Sequence, residues 1–430
     1  MLLHDSGEIH YPFSKFLTDK YNNPHTRELV AQSLRIFYRF CNAHRIELAL
    51  RSIEGRCLSL DETKKFAELC YRPISEIEAM SDKKVVLLTS AKAGKSPKDL
   101  PNAVEPNTAS KRMFHISQYI DFYLTAFLDT NIRSNSLREQ LRYEYHKISH
   151  QLKTVISGTK QGHHHDIQSL PADKFLAIIR AVFVRPQELF LNESGNVSRT
   201  IMRDRAMTLL ACEGLRPGTL GNIVRADFRP EAAHLSITDN RAKRSEIVST
   251  KTPVLKLGAS TQVNSASETM IQLWPFTISA VQDYINTERN AVLSKRLINK
   301  SNGFLILSEK GEPIKHRASI TEMFNRLGQR LLALGLLDVG KDPYFPDKKQ
   351  YPFYGYVLRH SAASFYCKVK GTDDRTLDSM KIRFGWTMNS NMPQVYAARA
   401  LSDKGNIDLM EFNADLLTDV QAKKVERGDH

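Results

Sequence analysis

Cysteine is scarce and unpatterned in this 430-residue chain: Cys41, Cys57, Cys70, Cys212 and Cys367 include no CxxC pair and no Cys/His spacing suited to a metal. That argues against a disulfide framework and a structural zinc site, and points to a reducing compartment. No apolar run approaches the length of a membrane span. The opening MLLHDSGEIHYPF has Asp5 and Glu8 where a secretory leader needs a basic start and an unbroken apolar stretch, so a soluble cytoplasmic protein is expected. Acidic residues are in deficit, 47 against 61 Lys and Arg, for a formal net charge of +14. Such a surplus favours a polyanionic partner, because basic groups beside phosphates release condensed counterions. With 41% hydrophobic and 25% charged residues, the chain has the balance of a folded protein and the length for two or three domains.

What is present reads mostly as helix. PHTRELVAQSLRIFYRFCNAH (24–44) carries Leu29, Leu34, Ile36, Phe37, Phe40 and Cys41 mainly at three- and four-residue spacing. Asp61 is the expected cap of the next amphipathic stretch, ETKKFAELCYR. KKVVLLTS (83–90) reads as a short buried strand, and 91–110, rich in Pro, Ala, Ser and Lys, as a linker. KRMFHISQYIDFYLTAFL and SLREQLRYEYHKISHQLKTVI then predict two long helices. Residues 106–165 hold eight Lys/Arg, four Asp/Glu and six His, a composition suited to gripping a nucleic-acid backbone or to a solvated face. The run His163–His165 is expected to be a polar hinge, since adjacent histidines rarely converge on one ion.

Further on, SLPADKFLAIIRAVF and TIMRDRAMTLLACEG predict helices, the second ended by Gly214. HLSITD (234–239), SEIVST (245–250), TPVLKLG (252–258) and GFLIL are strand-like. MIQLWPFTISAVQDYINTERN, ASITEMFNRLGQRLLALG, RHSAASFYCKV, LDSMKIRFGW and PQVYAARALS are helical. The expected fold is mainly α with a small antiparallel β-sheet, an α+β class, preceded by helical modules.

Three segments carry chemistry: Gly214-Leu215-Arg216-Pro217-Gly218-Thr219-Leu220 at a helix–turn–helix junction, Tyr356-Val357-Leu358-Arg359-His360 opening a helix, and Gly385-Trp386 followed ten residues later by Tyr396. Arginine stays charged at working pH, and its planar fork matches two phosphate oxygens at once. Two forks can neutralise the added charge of a pentacoordinate phosphorus transition state. A tyrosine hydroxyl is a weak nucleophile until cationic neighbours favour its phenolate. Singly, each residue has an ordinary structural reading: a surface turn for Arg216, core packing for Tyr396 and Trp386.

Taken in order, the three segments resemble the boxes of the tyrosine recombinase (phage integrase) family. GLRPGTLGNI is similar to the first arginine box, YVLRHSAASFYCKVKG to the His-x-x-Arg-His box, and FGWTMNSNMPQVYA to the closing box of Gly-His or Gly-Trp and a late tyrosine. The resemblance implies three regions: a helical N-terminal domain (1–105), a helical DNA-clamp module with linker (106–165), and a catalytic domain with a C-terminal tail (166–430). It implies that Arg216 and Arg359 bind the scissile phosphate and that Tyr396 attacks it to form a 3′-phosphotyrosyl link, without cofactor, metal or ATP. Trp386 would contact the phosphate. A lysine in a turn between the arginine boxes would protonate the leaving oxygen: Lys243 is favoured and Lys251 is the rival. Two departures stand out. Tyr356 replaces the usual His and cannot serve as an imidazole base, and Thr219 stands where an acidic residue often supports the first arginine.

The partners implied are double-stranded DNA, further copies of the chain in a tetramer, and DNA-bending accessory proteins, in a bacterial, nucleoid-associated setting. The apolar residues Leu409, Met410, Phe412, Leu416 and Leu417 of the tail would dock on a neighbouring copy or on their own domain. A telomere resolvase, a type IB topoisomerase and a DNA-binding regulator that has lost turnover are the competing readings. An RNA-binding helical scaffold has only the charge in its favour.

Overall fold

Apolar residues three and four apart draw the first part of the chain into a helical unit. The computed structural model describes residues 7–90, 102–155, 167–253, 269–405 and 407, apart from 23, 193, 247, 250 and 296–298. The chain divides into two units, Met1–Gly162 and His163–His430.

The main helices of the first unit are α1 (Tyr11–Lys20), α2 (Pro24–His44), α3 (Leu60–Cys70), α4 (Asp82–Ser90), α5 (Pro106–Tyr123) and α6 (Asn135–Thr154), with shorter helical turns between them. Leu34, Phe37 and Phe40 of α2, Phe66 of α3, Ile116 and Tyr119 of α5, and Tyr145 and Leu152 of α6 fill one core, so residues from both sides of position 105 share it. Leu29, by contrast, is exposed.

The stretch KKVVLLTS is helix, not strand. Val85 is fully buried while Leu87 faces solvent, the one-sided burial of a helix lying on α2 and α3. A short apolar run does not distinguish the two states; the neighbours decide. The cap of α3 is Ser59, not Asp61: the Ser59 hydroxyl accepts from the Glu62 N–H and the Glu62 carboxylate accepts from the Ser59 N–H. Of the expected linker, 91–101 lies outside the described residues, and Pro106 already occupies the first turn of α5, where a missing N–H costs nothing. The His163–His165 hinge and the tail from 408 also lie outside the described residues.

The second unit is built around α8 (Ile201–Cys212), which follows α7 (Ala172–Val184). Residues 204–212 of α8 are all buried, so this helix is the centre of the core. Around it stand β1 (Phe228–Arg229), β2 (His234–Ile237), β3 (Thr269–Gln272), α9 (Pro275–Tyr284), α10 (Arg317–Ala333), α11 (Gly355–Lys370), α12 (Asp374–Phe384) and α13 (Met392–Tyr396). The sheet is antiparallel in the order β1-β2-β3, with Phe228 opposite Leu235 and Leu235 opposite Ile271. The architecture is mainly α with one small antiparallel sheet.

Three boundaries differ from expectation. Met270–Gln272 belong to β3 rather than to the following helix: Pro275 sits in the first turn of α9, and Trp274 before it is extended, as the proline ring requires. Phe304–Leu307 of GFLIL are buried but make only isolated bridges, Val224–Phe304 and Leu307–Pro313, and bend between them, because no strand among the described residues runs beside them. SEIVST forms no strand among its described residues; Ser249 instead closes a turn on Thr252. Residues 254–258 of TPVLKLG lie outside the described residues. Among those described, no helix is long and apolar enough to cross a membrane.

Candidate active site

The C-terminal end of α8 runs into a tight turn, Glu213-Gly214-Leu215, that delivers Arg216. Arg216 is extended because Pro217 follows, and its carbonyl accepts the N–H groups of Thr219 and Leu220. The N-terminus of α11 packs directly on this turn. A Cβ on Gly355 would lie 2.6 Å from the Pro217 ring and 3.1 Å from Phe324, so only glycine lets the second box approach the first so closely. One turn into α11, Arg359 is 2% exposed.

Arg359 spans the three segments. One terminal nitrogen donates to the Gly214 carbonyl and the other, at 2.7 Å, to the Phe384 carbonyl, while Nε has no partner. Its guanidinium carbon lies 5.3 Å from the ring centroid of Tyr396, 5.0 Å from that of Trp386 and 5.3 Å from that of Phe384. Burial, and then the positive charge of Arg216, pull Arg359 below the ordinary arginine range. The phenols of Tyr396 and Tyr356 oppose that shift. A guanidinium boxed by three aromatic rings, without an ion pair to an acid and raised in energy by the charge of Arg216, makes a centre that an arriving anion would stabilise.

Tyr396 ends α13. Its ring stacks on His360 at 3.9 Å and 11°, and lies 5.0 Å from Trp386, which in turn stacks on Phe384 at 5.1 Å. The Ser364 hydroxyl donates to the Tyr396 carbonyl at 3.3 Å. Three residues on, buried Arg399 donates to the Ser169 carbonyl and forms an ion pair with Asp342 at 2.9 Å. The tyrosine is thus anchored within the same unit as both arginines. Tyr356 is 38% exposed, one turn before Arg359 on the same helix face. Thr219 is buried in the turn after Arg216.

The two candidate lysines are both exposed. Lys243 is exposed in a turn, Arg241–Lys243, shortly after β2, and exposed Lys251 accepts the Arg317 N–H through its carbonyl. Neither touches the Arg359–Tyr396 cluster by hydrogen bond or ion pair. Lys243 is nevertheless tied to the first box by its neighbour: buried Arg244 donates to the Gly221 carbonyl at 2.6 Å and the Ile314 carbonyl at 3.2 Å, and lies 4.8 Å over Phe304.

His360, which lies inside the second box, has no role in the sequence pattern alone. Burial and the adjacent Arg359 charge pull its pKa down to about 4, so it meets Tyr396 as a neutral ring at physiological pH. Its place beside Arg359 was the available signal. Among the described residues no cluster of His, Cys, Asp and Glu is able to hold a metal ion.

No protein-family model matches the chain, and no curated protein matches it. Among solved structures it is similar to a Tn1549 transposon integrase in complex with a circular intermediate DNA, at 13% identity and a TM-score of 0.47, covering 92% of this chain and 98% of that one. It is also similar to XerA recombinase, at 14% identity and a TM-score of 0.34, covering 81% and 99%. A lambda integrase dimer bound to a COC′ core site gives 12% identity and a TM-score of 0.41, covering 90% and 95%. With TM-scores below 0.5, these likenesses leave the functional reading to the residues themselves.

Proposed function

We propose that this chain is a site-specific DNA recombinase or integrase of the tyrosine type, cutting and rejoining DNA without metal or ATP. The observation that carries the reading is the buried Arg359, without an ion pair to an acid, within reach of the charge of Arg216 and lying 5.3 Å over the ring of Tyr396. A scissile phosphate entering between the arginines relieves their mutual repulsion and meets donors suited to its developing charge. The Tyr396 oxygen then attacks phosphorus while the bond to the 5′-oxygen breaks; the phenol proton passes to solvent, and the leaving oxygen takes a proton from Lys243. Attack by a 5′-hydroxyl on the phosphotyrosine reverses the sequence and reseals the strand. Trp386 packs beside the phosphate and offers its indole N–H. The working form is a tetramer on two duplexes in a bacterial cell, with the chain acting on a mobile element.

Nicked duplex DNA incubated with the protein should yield a covalent adduct on a denaturing gel, and Tyr396→Phe should abolish it while still binding the duplex. Tight binding by the wild-type chain with no adduct would instead support a non-catalytic regulator, the reading that Tyr356 and the carbonyl-held Arg359 favour. The lysine assignment has its own measurement. Lys243→Ala should slow adduct formation by roughly 10²–10⁴-fold, the usual worth of a positioned general acid, and Lys251→Ala should leave it near the wild-type rate. The reverse pattern would transfer the role to Lys251.

A further inference from the structure

Glu213 is a buried carboxylate that the proposed reaction does not use. It is 2% exposed, three residues before Arg216, and burial raises its pKa. One oxygen accepts the Trp274 N–H at 2.7 Å, where β3 gives way to α9; the other pairs with Arg383 at 2.8 Å. Arg383 also donates to the Gln272 carbonyl of β3 at 3.0 Å. Arg383 immediately precedes Phe384, and Glu213 immediately precedes Gly214: the two carbonyls that Arg359 holds are those of Gly214 and Phe384. The turn before Arg216 and the turn before Trp386 are therefore joined twice, by the Glu213–Arg383 pair and by the two bonds from Arg359. Trp386 follows within two residues, its N–H bonded to the Lys381 carbonyl at the end of α12.

We propose that Glu213 and Arg383 are positioning residues: their half-buried ion pair sets the distance between the first arginine box and the closing box, and so seats Arg359 and Trp386 around the phosphate. The inference rests on the phosphate-cleaving reading of the site. A pair with one fully covered member is a poor source of stability, because desolvation offsets the attraction, but it fixes geometry, since the covered Glu213 carboxylate is costly without its partner. A shift of about 1 Å in the groups around a reacting phosphate costs up to about 10²-fold in rate.

The full-length protein carries two tryptophans, Trp274 and Trp386, so Trp274→Phe leaves Trp386 as the single reporter. In that background, Glu213→Gln keeps an acceptor for the residue 274 N–H but removes the charge; Arg383→Gln removes the partner; Arg383→Lys keeps the charge without the fork. Acrylamide quenching of Trp386 is expected to rise about twofold in the two Gln variants, as close packing around the turn loosens, and less in Arg383→Lys. Single-turnover adduct formation on nicked DNA should fall about 10–100-fold in the Gln variants, with partial recovery in Arg383→Lys and an unchanged Kd for duplex DNA. Quenching that stays at the parental value in both Gln variants overturns the proposal, whatever the cleavage rates. A rate loss matched by an equal loss of DNA affinity also overturns it, since that marks a general structural defect. If quenching shifts but the parent chain forms no adduct, the seating of Trp386 stands and the recombinase reading falls.

Discussion

Arg359→Lys is expected to retain DNA binding and to lose covalent adduct formation by about 10²–10³-fold or more, the scale of removing one charge-stabilising donor from an active site. A lysine keeps the positive charge, so electrostatic attraction to the duplex persists. The fork is what disappears. Arg359 uses both terminal nitrogens to hold the Gly214 and Phe384 carbonyls and still has hydrogens to offer an incoming phosphate. An ammonium group at the end of a flexible stem is a point charge and cannot span two backbone carbonyls and a phosphate together. The substitution thus removes a transition-state contact and loosens the turns on either side. Single-turnover gels paired with equilibrium binding to the same nicked duplex separate the two effects. A rate within threefold of wild type would mean that Arg359 is a structural bridge alone, and the proposed chemistry would lose its second arginine.

Much of the candidate site was legible in sequence because the chemistry proposed for it depends on residue types that announce themselves. A Gly-Leu-Arg turn, an Arg-His pair at a helix start and a tyrosine ten residues after Gly-Trp are local patterns, and Arg216, Arg359, Trp386 and Tyr396 can be named from them. What local pattern does not carry is which groups meet. Glu213 reads as a polar residue closing a helix, and Arg383 as an ordinary basic residue in a last turn; only the packing of α12 against β3 and against the turn after α8 brings them to 2.8 Å. The stacking of His360 on Tyr396 is likewise a contact across 36 residues of sequence. The misread segments have the same origin. KKVVLLTS and GFLIL are short apolar runs whose state is set by what lies beside them: for the first, the flank of two helices, and for the second, a core position with no partner strand. Met270–Gln272 read as helix because the apolar pattern continues into α9, although Pro275 marks the boundary.

The same dependence on close approach makes Gly214→Ala the most damaging small substitution expected in the second unit. Gly214 has φ +96°, a conformation that costs an L-residue about 1–3 kcal/mol. The added Cβ would lie 2.2 Å from Cε1 and 2.7 Å from Cδ1 of Phe384, a ring that is itself buried and stacked on Trp386. Overpacking of that kind typically adds about 1–3 kcal/mol, so a total loss of about 2–6 kcal/mol is expected from the strained backbone and the displaced ring together. Urea unfolding should record it as a lower midpoint with an unchanged slope. Relief by moving Phe384 has a specific consequence, because its carbonyl is one of the two that seat Arg359 and its ring is the platform under Trp386. Adduct formation should therefore fall even at temperatures where the variant remains folded. Pairing Gly214→Ala with Phe384→Leu, which makes room for the new methyl group, should recover part of the lost stability but not the lost activity, since the ring under Trp386 is then gone. Full recovery of both would mean that the Gly214–Phe384 contact fills space and has no part in holding the site.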